Sequence, residues 1–155
     1  LLFLDAPTSG VDPVSRRDFW KILQSLLGQG ITIVMSTPYL DEAERCTRVA
    51  LMNKGGLMRV ATPAELKSSM TGTVVEIACD RVRDAFRILK EKRPALEVQA
   101  FGDRINVVLQ NATIELPDVE QLLAGAGIVT ASRRTIAPSL ENVFISLLTH
   151  SEGAV

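Results

Sequence analysis

Several things are scarce in this chain, and each scarcity narrows the reading. There are only two cysteines, Cys46 and Cys79, far apart and in no CxxC pair. A disulfide scaffold or a zinc ribbon is therefore not expected, and both read as reduced thiols of a cytosolic protein. Neither sign of charge dominates, with 17 Lys and Arg against 18 Asp and Glu, so nothing argues for a nucleic-acid partner. No apolar run is long enough to span a bilayer, and no signal peptide is visible. No low-complexity tract is visible, and no internal repeat beyond two βα halves in the second part of the chain. The chain does not open on Met, and Leu1 starts inside an apolar run, so we expect a piece of a longer protein.

What is present begins at once. Leu1 to Leu4 is a continuous apolar run, which suits a strand buried on both faces of a parallel sheet. Asp5 ends it, and a carboxylate at the carboxyl end of such a strand faces a ligand crevice in open α/β sheets. Pro7, Thr8, Ser9 and Gly10 break the strand into a loop. Asp12-Pro13 reads as a helix start, with Asp12 as N-cap and Pro13 in the first helical position. Phe19, Ile22, Leu23, Leu26 and Leu27 then recur at helical spacing up to Gly28 and Gly30. Ile31 to Met35 is a second buried strand, "YLDEAERC" a short polar helix, and "RVALMN" and "LMRVA" a hairpin about Lys54-Gly55-Gly56. Pro63 starts a short helix to about Ser69, and Met70-Thr71-Gly72 is a linker.

From residue 72 the pattern changes. "TVVEIA" is a strand, and Val82, Ala85, Phe86 and Leu89 mark an amphipathic helix. "LEVQAF" and "RINVVL" alternate as half-buried strands joined by Gly102-Asp103, with Leu96, Val98 and Ala100 inward against Ile105, Val107 and Leu109. Val119, Leu122 and Leu123 mark another helix, and "IVTASRR" is the last strand. This βαββαβ order predicts a ferredoxin-like unit. A final helix after Pro138 carries Leu140, Val143, Phe144, Leu147 and Leu148 on one face.

The opening stretch, Asp5-Ala6-Pro7-Thr8 followed by Ser9-Gly10-Val11-Asp12, resembles the Walker B and D-loop segment of ABC-transporter ATPases, in which Asp-Glu-Pro-Thr precedes Ser-x-x-Asp. "ATPAEL" resembles the close of the ATPase core in drug- and lipid-export members, and "PSLENVFISLL" the end of the small domain that often follows. The resemblance covers residues 1–69 most fully and 72–149 through topology and the final helix. It implies an α/β fold: a partial P-loop NTPase core over 1–71, then a ferredoxin-like domain with a C-terminal helix over 72–155. It implies ATP and Mg²⁺ as cofactors of the intact protein, with Asp5 holding the metal through a water and Ser9, Gly10 and Asp12 at a dimer interface. A second ATPase domain and a membrane-spanning permease are the implied partners, at the cytoplasmic face of the plasma membrane.

Two positions depart from the family pattern. The family's catalytic glutamate falls on Ala6, whose methyl group cannot accept a proton or polarise water. The family's switch histidine falls on Pro38, in Ser36-Thr37-Pro38-Tyr39, which has no imidazole and no backbone N–H. The sole histidine, His150, lies past the last helical stripe. No GxxxxGK[ST] loop and no Leu-Ser-Gly-Gly-Gln loop occurs in these residues. The chain alone is expected to bind ATP poorly and to hydrolyse none.

Plainer roles stand beside these. Asp12 serves as a helix cap whatever else it does. Pro38 suits a first helical turn after a capping Thr37. Asp41, Glu42 and Glu44 read as a solvated helix face that favours the helix N-terminus. Arg133 and Arg134 read as surface residues able to meet a partner or a lipid headgroup. Two other functions compete: the ferredoxin-like half as a regulatory or dimerisation module, and a stand-alone hydrolase with Asp5 as nucleophile, for which no acid or base partner is evident.

Overall fold

The computed structural model describes residues 1–152, with the side chains of 150–152 excepted, so the side chain of His150 lies outside the described residues. The fold is mixed α/β, with eight strands and six helices among the described residues. By internal packing the chain falls into two units, Leu1–Thr47 and the residues from Arg48 onward.

The first unit is a strand–helix–strand–helix run: β1 (Leu2–Asp5), α1 (Pro13–Gly28), β2 (Ile33–Ser36) and α2 (Leu40–Ala43). β1 and β2 pair in parallel, with Leu2 opposite Ile33 and Asp5 opposite Ser36. The expectation of burial on both faces fails: Leu2 and Leu4 are half-buried, but Phe3 is 70% exposed. Alternate side chains of a strand point to opposite faces, and only one face of this pair is covered.

α1 starts where predicted. Asp12 Oδ1 accepts from the amides of Val14 and Ser15 at 2.9 and 3.0 Å, and Pro13 occupies the first helical position. Its buried line is turned from the predicted one, being Trp20 and Leu23, with Ile22 and Leu27 exposed. Ile22 sits about 100° round the helix from Leu23, whereas Trp20 is about 60° away and shares its face.

The second unit opens with an antiparallel hairpin, β3 (Val49–Asn53) and β4 (Gly56–Ala61). Lys54 and Gly55 join them with φ of +49° and +78°, the two left-handed residues of a tight hairpin turn. α3 (Pro63–Ser68) follows, closed by a capping box in which Thr62 and Glu65 satisfy each other's backbone amides. It packs against α6 (Leu140–Glu152), the terminal helix of the same unit. Hairpin and α3, placed by sequence before a boundary at 71/72, thus group by packing with the residues after it.

Four antiparallel strands form the sheet of this unit. They are β5 (Thr73–Cys79), β6 (Glu97–Phe101), β7 (Arg104–Leu109) and β8 (Thr130–Ile136), in the order β6-β7-β5-β8. Gly102, at φ +54°, opens the tight turn between β6 and β7. On one face Val75, Ile77, Val98, Ile105, Val107 and Leu109 form a core with α4 (Val82–Lys92) and α5 (Ala112–Gly125), through Ala85, Leu89, Val119 and Leu123.

The other face was expected to meet solvent along β6 and β7, and it does not. Glu97, Gln99 and Asn106 are buried there. Asn142 of α6 donates through Nδ2 to Gln99 Oε1 at 2.6 Å, and Ser146 Oγ donates to Glu97 Oε1 at 3.2 Å. The polar alternation that reads as a solvated face is instead the hydrogen-bonding seam on which the last helix sits. Ala100, expected inward, is exposed near the end of β6.

β8 begins at Thr130, two residues later than expected, and is exposed along most of its length. Its arginines are engaged within the chain. Arg134 Nε donates to Glu76 Oε1 at 2.7 Å, Arg104 Nη1 reaches the same oxygen at 2.9 Å, and Arg133 pairs with Glu120. Arg134 foremost, with Arg104, holds the Glu76 carboxyl below its usual range.

Leu123 is fully buried among these helices and strands. Leu123→Ala should destabilise the protein by about 2–5 kcal/mol. Urea unfolding followed by far-ultraviolet circular dichroism measures it, and a loss well under that range would mean the core collapses around the gap.

Candidate functional site

The carboxyl ends of β1 and β2 bring the sequence-predicted residues together. Because the strands are parallel and in register, Asp5 lies beside Ser36 and the two following loops leave from the same end. Ser36 Oγ donates a hydrogen bond to Asp5 Oδ1. The amide of Ala6 donates in turn to Ser36 Oγ at 2.9 Å and to the Ser36 carbonyl at 3.1 Å. Asp5 itself is exposed, so its carboxylate is open to solvent.

Ala6 has φ +41°, in the left-handed region that residues with a Cβ seldom occupy. The chain reverses there. Ser9 N–H closes the turn onto the Ala6 carbonyl at 3.1 Å, and Val11 N–H bonds the Thr8 carbonyl at 3.1 Å. Ser9 and Gly10 are exposed, Gly10 at φ +75°, and Asp12 ends the loop as the cap of α1. The Asp12 carboxyl is held below its usual value, chiefly by its hydrogen bond with Ser15.

After β2 the chain runs through Thr37 and Pro38 into α2. Pro38 lies in a bend outside the helix, which begins at Leu40, so the expected first-turn placement is not met. Thr37 Oγ1 accepts from the Tyr39 amide at 3.1 Å, turning the chain before the helix rather than capping it.

Glu42 overturns the reading of α2 as a solvated face, for it is 1% exposed. Its Oε2 accepts from Thr8 Oγ1 at 2.9 Å and from Thr37 Oγ1 at 2.8 Å. Arg16 Nε stands 3.6 Å from Oε1, a charge pair, and the Arg16 guanidinium lies 4.6 Å from the Tyr39 ring centre. Sequence reasoning missed Thr8, Arg16 and Glu42. The available signal was chemical rather than periodic: two hydroxyl residues, each placed just past a strand end, with an acidic residue a few positions on.

The arrangement supplies a solvated carboxylate at a strand end, and no proton-accepting side chain at Ala6 or Pro38. No group of three or more His, Cys, Asp or Glu side chains able to hold a metal by themselves occurs among the described residues.

No protein-family model matches the chain. Over 152 residues it is 30% identical to the daunorubicin resistance ATP-binding protein DrrA3 of Streptomyces coeruleorubidus, covering 95% of this chain and 47% of that protein. Over 153 residues it is 31% identical to the Nod factor export ATP-binding protein I of Rhizobium etli, covering 95% and 45%. A 68-residue stretch, 44% of this chain, is 47% identical to the probable multidrug ABC transporter ATP-binding protein YbhF of Escherichia coli, 12% of that protein.

The chain is homologous to ABC-transporter ATP-binding proteins. The similarity to those two relatives runs through nearly the whole chain and so takes in both units. The chain spans about half the length of those two relatives. No helix among its described residues is long and apolar enough to cross a membrane.

The cap at Asp12 can be tested with Trp20, the one tryptophan, which lies on α1. Asp12→Ala should lower the denaturant midpoint seen by Trp20 fluorescence at pH 7, while Asp12→Asn retains most of it. The bound form of the group is the carboxylate, so its contribution is present above the unfolded value of 3.8 and fades as pH falls through the lower folded value. A gap between wild type and Asp12→Ala that widens in acid would contradict the assignment.

Proposed function

We propose that this chain is the C-terminal part of the ATP-binding subunit of an ABC exporter, and that the nucleotide site to which it contributes is hydrolytically degenerate. One observation carries the reading. At the shared end of β1 and β2 the aspartate is kept as Asp5, while Ala6 and Pro38 stand where the family resemblance puts glutamate and histidine.

The residues present fit the metal end of such a site. Asp5 is an exposed, hard oxygen donor at a strand terminus, suited to holding Mg²⁺ through water. The metal would neutralise phosphate charge. The chain's own groups would place it: Ser36 orients Asp5 through Oδ1, and the Ala6 amide fixes Ser36. The residues do not fit the proton-handling end, since neither a methyl group nor a pyrrolidine ring can take up a proton from water.

In the intact subunit, Ser9, Gly10 and Asp12 lie on the loop that faces a second ATPase domain, whose site supplies hydrolysis. A permease subunit would hold the pair at the cytoplasmic face of the membrane. We take residues 1–71 as the end of the nucleotide-binding domain and 72–155 as an accessory domain. The β-α-β-β-α-β order and the β6-β7-β5-β8 arrangement support a ferredoxin-like reading of the latter, with a regulatory or dimerisation role.

The chain alone should show no ATP turnover above buffer. In the full-length protein, with the partner site inactivated, Ala6→Glu with Pro38→His should raise turnover, and each change alone should do less. Ala6 already carries a Cβ at its positive φ, so glutamate adds no new class of backbone strain. A restored general base is worth about 10²–10⁴-fold in rate. A double variant that binds ATP normally and stays as slow as its parent would overturn the degenerate-site reading.

A further inference from the structure

We propose that Glu42 is a positioning residue that couples the loop after β1 to the loop after β2. Its single oxygen Oε2 receives both threonine hydroxyls, Thr8 at 2.9 Å and Thr37 at 2.8 Å, although these residues lie far apart in sequence. Thr8 sits two residues past Ala6 and is fully buried, and Thr37 directly precedes Pro38.

The geometry favours transmission over simple filling of space. Two donors that share one acceptor atom cannot move independently without one bond lengthening. The acceptor is itself restrained on its other side, since Arg16 Nε faces Oε1 at 3.6 Å while its guanidinium lies against the Tyr39 ring. Four segments therefore meet at one carboxylate: the β1 loop, the first turns of α1, the β2 loop and α2. A buried carboxylate is a costly way to fill a core, since apolar groups of similar volume are often as stable or more so. What apolar groups cannot do is fix the register of two loops through directed bonds. Displacement of the β1 loop would reach the β2 loop, and the reverse, without passing through the strands.

The inference rests on the two loops' geometry alone, so it stands or falls separately from the degenerate-site reading. The test is amide hydrogen exchange, with no nucleotide, in the full-length protein that contains this chain. Thr37→Val and Thr8→Val each delete one hydroxyl at nearly constant volume. Thr37→Val should speed exchange at Ser9 and Val11, on the opposite loop, by about fivefold, the scale of one lost hydrogen bond. Thr8→Val should do the same at Tyr39 and Glu42. In a Glu42→Leu background, where no acceptor remains, the remote effect of Thr37→Val should shrink. If Glu42→Leu does not fold, the two threonine variants decide the matter. Acceleration confined to the mutated loop, acceleration spread evenly through α1, or a remote effect undiminished in Glu42→Leu would each overturn the proposal.

Discussion

The parallel register of β1 and β2 is the constraint on which the site depends. Leu2 opposite Ile33 leads, residue by residue, to Asp5 opposite Ser36. That pairing puts the Asp5 carboxylate within reach of the Ser36 hydroxyl and brings the Ala6 amide onto the same serine. It also makes both loops leave from one end of the pair. Slip the register by one residue and every side chain changes face. Asp5 would lose Ser36, and the threonines would no longer converge on Glu42.

The second unit depends on a different device. Its sheet has an apolar face under α4 and α5, and a mixed face on which α6 is seated by Asn142 and Ser146. Leu140 and Val143 of the same helix are buried. Polar contacts of this kind are weak per bond but exacting in geometry. They specify where along β6 the helix rests more sharply than an apolar face would.

How much of this is legible in sequence follows from how local each determinant is. Asp12-Pro13 and Lys54-Gly55 act on residues next to them, and both landed where predicted. The β-α-β-β-α-β order was readable from alternation and turn residues. Glu42 was not, because its partners Thr8 and Thr37 lie outside its own helix, and its neighbours Asp41 and Glu44 suggest a wet surface. Gln99 and Asn106 were misread for the same reason: alternation tells which residues share a face, not what later covers it. Trp20 was left out of the stripe read from Phe19, Ile22, Leu23, Leu26 and Leu27. Resemblance singled out Asp5, Ala6 and Pro38, and the structure adds the contacts that tie Asp5 to Ser36 and Thr37 to Glu42.

On the reading proposed above, the end of this strand pair would hold a metal without the means to activate water. The state of the nucleotide at Asp5 decides it. The full-length protein would be loaded with ATP labelled in the γ-phosphate, with its partner site left active, and the nucleotide bound at the Asp5 site trapped by photo-crosslinking after many turnovers. The trapped nucleotide should still be triphosphate with its label retained. A trapped diphosphate, formed at the Asp5 site as fast as at its partner, would contradict it.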